Sequence, residues 1–285
     1  MDIYLLEALI NGMLLGGVLA LLALGLNLIF GVVDVVWIAY AELVMCGMYV
    51  VYWTYAYYHW PFPAAVLLAI AAVAALGVLV HQLIIAPILG SPAINQLLAT
   101  GGLLFFLQSF ATLLFGTDFR NIGVRLPVLD LGEMSISFAR LIAFAVAVLG
   151  AGALYLFLAK TFLGTAIRAI GQDREIIGLM GVDQRRIYLI TSAIGGALAG
   201  LAACLLVLQY DVHPFIGLSF GPITFMICVL GGLGNMLGGF AAAFIMSEII
   251  SVGGFYFSQE IGEVLAFVVF IALMFMRPLG IFGRT

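Results

Sequence analysis

The chain is built from long apolar runs separated by short polar segments. Most runs are about 18–25 residues long, and apolar and polar residues do not alternate within them. A run of this kind predicts a helix that can cross a bilayer. Nine candidate spans follow in chain order: Leu9–Val33, Val35–Tyr58, Phe62–Pro87, Ile94–Phe115, Phe138–Ala159, Ile187–Gln209, Pro222–Gly234, Leu237–Gly253 and Gly262–Met276.

The seventh and eighth candidates are short and meet in a glycine-rich stretch. That stretch, Gly231–Gly239, contains five glycines. It fits either a tight turn between two spans or a break inside one longer helix. The predicted fold is therefore an all-α polytopic membrane helix bundle with eight or nine crossings, formed as a single transmembrane domain over residues 1–285.

The composition supports a membrane location and excludes several other classes. Apolar residues make up 65% of the chain and charged residues 8%, whereas soluble domains are about one quarter charged. The net charge of −4 offers no basic surface for nucleic acid. Asp2 and Glu7 have the wrong sign for the start of a signal peptide, so the first run is expected to remain in the protein.

No chemistry-bearing motif suggests an enzyme, a metal site or a cofactor. The chain has no HExxH, GxSxG or paired-acid pattern. Its single lysine is Lys160, and the glycine run lacks the Lys-Ser/Thr pair of a phosphate loop. Cys46, Cys204 and Cys228 lie in apolar runs without CxxC spacing and are expected to be small buried residues.

A polar stretch between residues 160 and 186 interrupts the apolar pattern. Five of the ten basic residues lie there: Lys160, Arg168, Arg174, Arg185 and Arg186. With Arg277 and Arg284, this excess of positive charge predicts a cytoplasmic loop and a cytoplasmic C-terminus. The N-terminus and the mixed-charge stretch Thr117–Glu133 are then expected on the outside.

Residues 160–186 also predict two short helices. Thr165 can begin the first, and Asp173 can cap a second that ends at Gly181. One broad side of the second helix is apolar, which suits either a groove on a partner protein or the surface of the bilayer. The predicted docking residues are Arg168, Asp173, Arg174, Glu175, Met180 and Gly181.

Two parts of the chain resemble each other weakly. Gly16–Ala23 is similar to Gly195–Ala202, and each is followed by an acidic residue and then by a bend with an aromatic residue. Five crossings between the two starts would place the copies in opposite directions. Inverted repeats of this kind surround the pathways of transporters.

Ionisable residues within apolar runs are candidates for a polar pathway, since a charge at the centre of a lipid-facing helix costs at least ~2.5 kcal/mol. Asp34 fits either the pathway or the membrane interface, and Glu42 fits either the pathway or a helix contact. His81 and Glu248 are expected to hydrogen-bond between helices. Six residues form the predicted substrate pathway: Asp34, Trp37, Tyr40, Glu42, Asp211 and His213.

Several segments, in order along nearly the whole chain, resemble one known family. They are Asn11–Gly31, Arg168–Val182, Gly195–Gly200, Gly231–Asn235 and Arg277–Gly283. Together they are similar to the permeases of the branched-chain amino-acid ABC importers of the LivH type. The resemblance implies a bacterial inner-membrane subunit with an all-helical inverted-repeat fold.

The same resemblance implies the partners. A second related permease, two cytoplasmic ATP-binding subunits docked on residues 160–186, and an extracytoplasmic solute-binding protein would complete the importer. One segment departs from the family, because Trp37–Glu42 reads Trp-Ile-Ala-Tyr-Ala-Glu where Asn-Phe-Ala-His-Gly-Glu is usual. The pathway is therefore expected to be more aromatic and less hydrogen-bonding, which suits an aromatic or otherwise apolar acid better than leucine, isoleucine or valine. From the resemblance as a whole, the solute is expected to be a branched-chain amino acid or a related small carboxylate or amide.

Two other functions fit the composition. A self-sufficient secondary transporter would need a midplane acid for its coupling ion, which only Glu42 or Glu248 could supply. A membrane scaffold would bind a partner through residues 160–186 without moving any solute.

Overall fold

Helices make up most of the described chain in the computed structural model, which describes residues 3–124, 127–131, 134–172 and 182–282. The helices are α1 (Ile3–Val33), α2 (Glu42–Val51), α3 (Phe62–Val80), α4 (Ala93–Phe115), α5 (Phe138–Lys160), α6 (Phe162–Ile170), α7 (Gln184–Leu206), α8 (Ile216–Gly231), α9 (Met236–Tyr256) and α10 (Gln259–Met276). A 3₁₀ turn at Ile38–Ala41 precedes α2 and a π-turn at Tyr52–Tyr57 follows it. A second π-turn at His81–Ile85 extends α3 to Ile88.

The predicted apolar runs all correspond to helical segments. Seven helices of the described chain are long and apolar enough to cross a membrane, and α8 is a shorter apolar helix of 16 residues. The run Val35–Tyr58 differs from a continuous α-helical span. Its helix starts only at Ile38 and consists of a 3₁₀ turn, the α-helix α2 and a π-turn. The helical membrane fold is confirmed, and the predicted count of eight or nine crossings is close to this set.

The glycine-rich stretch is a turn between two helices. Gly231 ends α8, and Asn235 caps α9 by accepting a hydrogen bond from the Gly238 amide at 3.0 Å. Gly232 and Gly234 have φ values of +90° and +79°, in the left-handed region that glycine enters without strain. These two glycines reverse the chain within four residues, which settles the alternative that the sequence left open.

At the centre of the bundle, α1 and α7 cross in opposite directions. Leu21 and Leu201 lie beside each other against Gly150 of α5, and further along the crossing Gly25 meets Gly195. In the apolar 18-residue part of α1, 83% of the residues are buried, whereas in that of α10 only 11% are buried. The core is therefore built around α1 and α7, and α10 lies at the periphery.

The helices α1–α3 and α7–α9 form two halves of the bundle, and each central helix packs on one helix of the other half. Gly16 of α1 approaches Ser247 and Phe244 of α9, and Gly196 of α7 approaches the backbone of Val73 in α3. Glycine at these seams lets the backbones come close, which is the usual basis of helix packing in lipid. The packing of α1 on α9 matches the packing of α7 on α3, and α1 and α7 run in opposite directions, which fits the inverted repeat that the internal resemblance predicts.

The bundle has two ends with different contents. One end, called the loop end, carries the described part of residues 160–186. There α1 ends next to Gly171 and Gly234, and α7 begins. At the distal end, two strands outside the sequence prediction pair antiparallel: β1 (Val128–Leu131) and β2 (Met134–Ser137). β1 lies within the stretch Thr117–Glu133 that was expected to be a loop, and β2 follows that stretch. The two ends are used below to place each candidate residue.

Candidate functional site

Two short helices begin inside the bundle instead of at its surface. α1 ends at Val33, and α2 starts only after a non-helical segment and the 3₁₀ turn Ile38–Ala41. In the other half, α7 ends at Leu206 and α8 starts at Ile216. The first turns of α2 and α8 meet, because Gly217 contacts Glu42 and Gly221 contacts Ala41. The starts of α2 and α8 therefore lie together in one buried region.

Glu42 lies at this meeting point. It is the first residue of α2 and only 1% exposed. Its Oε1 accepts a hydrogen bond from the Gln108 side-chain amide of α4 at 2.9 Å. Within the described chain, no group donates to its Oε2. A buried carboxylate with one oxygen unsatisfied has capacity for a donor from a solute, a water or a rearranged helix.

Trp37 and Tyr40 lie next to Glu42 and are also buried. Each is 1% exposed, and their rings meet edge to face with centroids 6.0 Å apart. The Tyr40 hydroxyl donates to the carbonyl oxygen of Gly195 in α7 at 2.8 Å. The Trp37 Nε1 has no acceptor among the described residues. In this conformation both aromatic side chains are part of the packed core.

Asp34 is exposed where α1 ends, at the loop end of the bundle. Its φ of +58° is in the left-handed region, and its amide donates to the Phe30 carbonyl at 2.9 Å. Aspartate tolerates this conformation better than most residues. Asp34 therefore ends α1 and directs the chain back towards the interior.

Polar residues of α4 hold the segment that follows Asp34, and the sequence analysis did not select them. The Thr100 hydroxyl donates to the Val36 carbonyl at 2.9 Å, and the Val36 amide donates to Gln96 Oε1 at 3.4 Å. Gln96, Thr100 and Gln108 are all buried on one face of α4. Their spacing of four and eight residues within an apolar run was the signal that could have identified them.

Asp211 and His213 line a cleft at the distal end. The cleft has a volume of about 310 Å³, with Leu15 and Phe220 in its apolar walls and Glu263 at its side. Asn121 donates to Asp211 Oδ1 at 2.8 Å. Burial lowers the pKa of His213, and the nearby Asp211 carboxylate partly opposes that effect. His213 therefore favours its neutral form.

A segment after α4 covers this end of the bundle. The backbones of Arg120 and Val212 exchange two hydrogen bonds of 2.9 and 2.8 Å. The Arg120 guanidinium lies 5.5 Å from the ring centre of Tyr52 and 5.7 Å from that of Trp53. These contacts connect the π-turn after α2 to the segment before α8, so they join the two halves.

The structure separates the six predicted pathway residues into three groups. Asp34 lies at the loop end, whereas Trp37, Tyr40 and Glu42 are together in the interior. Asp211 and His213 line the distal cleft together with Ile216 and Phe220 of α8. Glu42 packs on Gly217 of the same helix and is not among the residues that line this cleft. One cavity does not contain all of them in this conformation.

Other predicted residues are found as follows. His81 Nδ1 lies 2.9 Å from the Ser192 hydroxyl, so the expected hydrogen bond between helices is confirmed. Glu248 packs against Gly12, but its Oε2 has no partner in the part of the chain that is described.

Among the predicted docking residues, Arg168 is exposed in the last turn of α6. Five others lie outside the described residues: Asp173, Arg174, Glu175, Met180 and Gly181. The α6 helix itself is amphipathic and is capped by the Thr161 hydroxyl, which accepts from the Gly164 amide at 3.0 Å.

Comparison with known proteins gives a single family. Residues 8–274 match the family described as the permease component of the branched-chain amino acid transport system. The permease protein BraD of a high-affinity branched-chain amino acid transport system in Pseudomonas aeruginosa is 30% identical over 98% of this chain and 96% of its own length. The corresponding permease protein LivH of Salmonella typhimurium is 29% identical over 99% and 96%.

A probable LivH permease of Methanocaldococcus jannaschii is 29% identical over 46% of this chain and 44% of its own length. No solved structure matches. The membrane permeases among the relatives and the seven long apolar helices agree on an integral inner-membrane protein. The match over residues 8–274 shows that the chain belongs to the permease component family of branched-chain amino acid transport systems.

Proposed function

We propose that this chain is the membrane-spanning permease subunit of an ATP-driven importer for branched-chain amino acids or a closely related small solute. The observation that carries the proposal is the family match over residues 8–274, together with relatives that align over almost their whole length. Such a subunit moves the solute, while its partners supply the energy.

Partner subunits are the source of energy in this proposal. The chain has one lysine and no phosphate-loop motif, so ATP would be bound and hydrolysed elsewhere. Two cytoplasmic ATP-binding subunits would dock on residues 160–186 of this permease and on the equivalent loop of a second, related permease. An extracytoplasmic binding protein would deliver the solute to the distal end.

The α6 helix belongs to the described part of the proposed docking surface. Ile167 and Ile170 are buried against the bundle, whereas Phe162 in the first turn is 81% exposed and Arg168 in the last turn is exposed. Aromatic residues and arginine are both enriched in protein interfaces. The end of α6 also touches α1, since Gly171 lies against the Gly31 carbonyl.

The distal cleft is the proposed entry point for the solute. Its volume of about 310 Å³ is within the usual range for small-molecule sites. Apolar walls such as Leu19 and Ile223 suit a branched aliphatic side chain, and the carboxylates of Asp211 and Glu263 suit an ammonium group. From there the solute would pass the region of Trp37, Tyr40 and Glu42 after the helices rearrange.

Reconstitution with and without partners tests this function. Proteoliposomes that contain the permease pair, the ATP-binding subunits and the binding protein should take up leucine only when ATP is present on the ATPase side. The permease alone should show no uptake. Ion-driven uptake by the permease alone would instead favour a self-sufficient secondary transporter, and partner binding without any flux would favour a scaffold.

A charge change on α6 tests the docking surface. Arg168→Glu should reduce co-purification of the ATP-binding subunits and ATP-driven uptake by at least roughly tenfold. This is the size expected when a charge at an interface is reversed. Arg168→Lys keeps the charge and serves as the matched control. Normal assembly of the Arg168→Glu protein would exclude α6 from the interface.

A further inference from the structure

One buried hydrogen bond joins the interrupted part of the first half to the central helix of the second half. The Tyr40 hydroxyl, in the 3₁₀ turn before α2, donates to the Gly195 carbonyl of α7 at 2.8 Å. Tyr40 is 1% exposed, and Gly195 is also buried. A hydrogen bond in such surroundings is shielded from competing water.

Neighbouring residues hold the hydroxyl in one place. A β-carbon at Gly25 of α1 would overlap the Tyr40 hydroxyl and would lie 3.3 Å from the Gly195 carbonyl oxygen. A β-carbon at Gly195 would overlap the end of the Ile29 side chain and would lie 3.3 Å from the Gly25 carbonyl oxygen. The close approach of α1, α7 and the Tyr40 hydroxyl therefore depends on glycine at both positions.

The position of this bond connects two regions with proposed roles. Gly195 lies about 17 Å along α7 from its first residue, Gln184. Asp183 caps that end of α7 and belongs to residues 160–186, the proposed docking surface. At its other end the bond reaches Tyr40, two residues before Glu42.

We propose that Tyr40 is a positioning residue that transmits displacement of α7 to the start of α2. When the partner subunits move residues 160–186, α7 shifts as a rigid helix. The Tyr40–Gly195 bond then carries the 3₁₀ turn and the Glu42 carboxylate with it. Tyr40 has this role through its hydroxyl, which is bonded to Gly195 and is therefore not available to a solute that passes this region. The inference rests on the proposed function of the chain as an importer subunit.

A pair of tyrosine variants tests the inference in the complete importer. Tyr40→Phe removes the hydroxyl and keeps the ring. Tyr49→Phe is the matched control, since the Tyr49 hydroxyl is also buried, in α2, but has no partner among the described residues. Uptake and ATP hydrolysis are measured in the same proteoliposomes, together with the melting temperature of each purified complex.

Tyr40→Phe is expected to lower the amount of solute taken up per ATP about fivefold, which is the effect of losing one ordinary hydrogen bond. Tyr49→Phe should leave this ratio unchanged. A lower melting temperature with an unchanged ratio would show that the hydroxyl only stabilises the fold, and would overturn the inference alone. Absence of ATP-driven uptake by the wild-type complex would instead overturn the proposed function, and the inference with it.

A second variant checks the geometry without relying on transport. Gly25→Ala should lower the melting temperature because its methyl group overlaps the Tyr40 hydroxyl. Combining it with Tyr40→Phe should restore part of the loss, since the oxygen is then gone. Strictly additive losses would show that the hydroxyl does not lie between the two helices, which also contradicts the inference.

Discussion

The Glu42 carboxylate rests against the α-carbon of Gly217. A β-carbon at position 217 would lie 2.5 Å from one carboxylate oxygen and 2.6 Å from the other. Real β-carbons do not approach oxygen so closely, so only glycine allows the first turns of α2 and α8 to meet around this acid. The two interrupted segments therefore depend on each other for their placement.

Gly217→Ala should disturb this meeting point more than a glycine replacement elsewhere in α8. The methyl group must push Glu42 or the helix aside, at a cost of about 1–3 kcal/mol for overpacking. We expect a melting temperature several degrees lower and a strong loss of uptake. Gly221→Ala is the control, because its β-carbon would lie 3.4 Å from the Ala41 β-carbon, an ordinary contact. Equal behaviour of the two variants would contradict the arrangement.

Gln108→Leu should destabilise the bundle through Glu42. It removes the donor to Glu42 Oε1 and leaves a buried acceptor unsatisfied, which costs about 1–3 kcal/mol. Denaturant unfolding in detergent measures the loss, and Ser109→Ala on the exposed side of α4 should cause little change. In the Glu42→Leu background, Gln108→Leu should cost less than it does alone, because the acceptor is already absent. Full additivity would argue against the contact.

Arg120→Met should loosen the segment after α4 that lies over the distal end of the bundle. The change removes the guanidinium from the faces of Tyr52 and Trp53 and from the Phe115 carbonyl. A loss of about 1 kcal/mol corresponds to roughly fivefold more frequent local opening. Hydrogen exchange of the Arg120 and Val212 backbone amides reports this opening directly, since these amides pair with each other.

The control for Arg120 is Asp118→Asn. Asp118 is exposed in the same segment, so its replacement should leave the exchange rates of both amides unchanged. Unchanged exchange in Arg120→Met would show that the paired backbone alone holds the cover.

Cysteine labelling should locate the two ends of the bundle. In a background without Cys46, Cys204 and Cys228, Thr117→Cys should react with a membrane-impermeant maleimide on intact cells. Arg168→Cys should react only after the membrane is opened, since the excess of positive charge around it predicts a cytoplasmic location. The reverse pattern would place residues 160–186 outside and rule out docking of cytoplasmic ATPases there.

The helical segments could be predicted from the sequence because long apolar runs leave few alternatives in lipid. The turn at Gly232 and Gly234 was visible as one of two possibilities, and the structure chose between them through its positive φ values. The end of the first helix at Val33 was predicted, but the non-helical segment between Asp34 and Ile38 was not. An apolar segment such as Val35–Tyr58 gives no local signal of where its helix begins.

The contacts of the candidate site were beyond the sequence for a different reason. Glu42 and Gln108 are 66 residues apart, and Tyr40 and Gly195 are 155 apart. Such pairings depend on how helices cross, which local patterns do not encode. The sequence did indicate Glu42 and Tyr40 as unusual residues, but it gave neither their partners nor their separation from Asp211 and His213.

The seams between the two halves are smooth. Gly16, Gly31, Gly77, Gly196 and Gly200 lie where one helix faces another, and several of them meet backbone and not interlocking side chains. A surface without protruding side chains has few rotamers to rearrange when one helix moves lengthwise along its neighbour. These seams therefore permit shear, in which one helix shifts by a small step along its neighbour while each helix keeps its own hydrogen bonds.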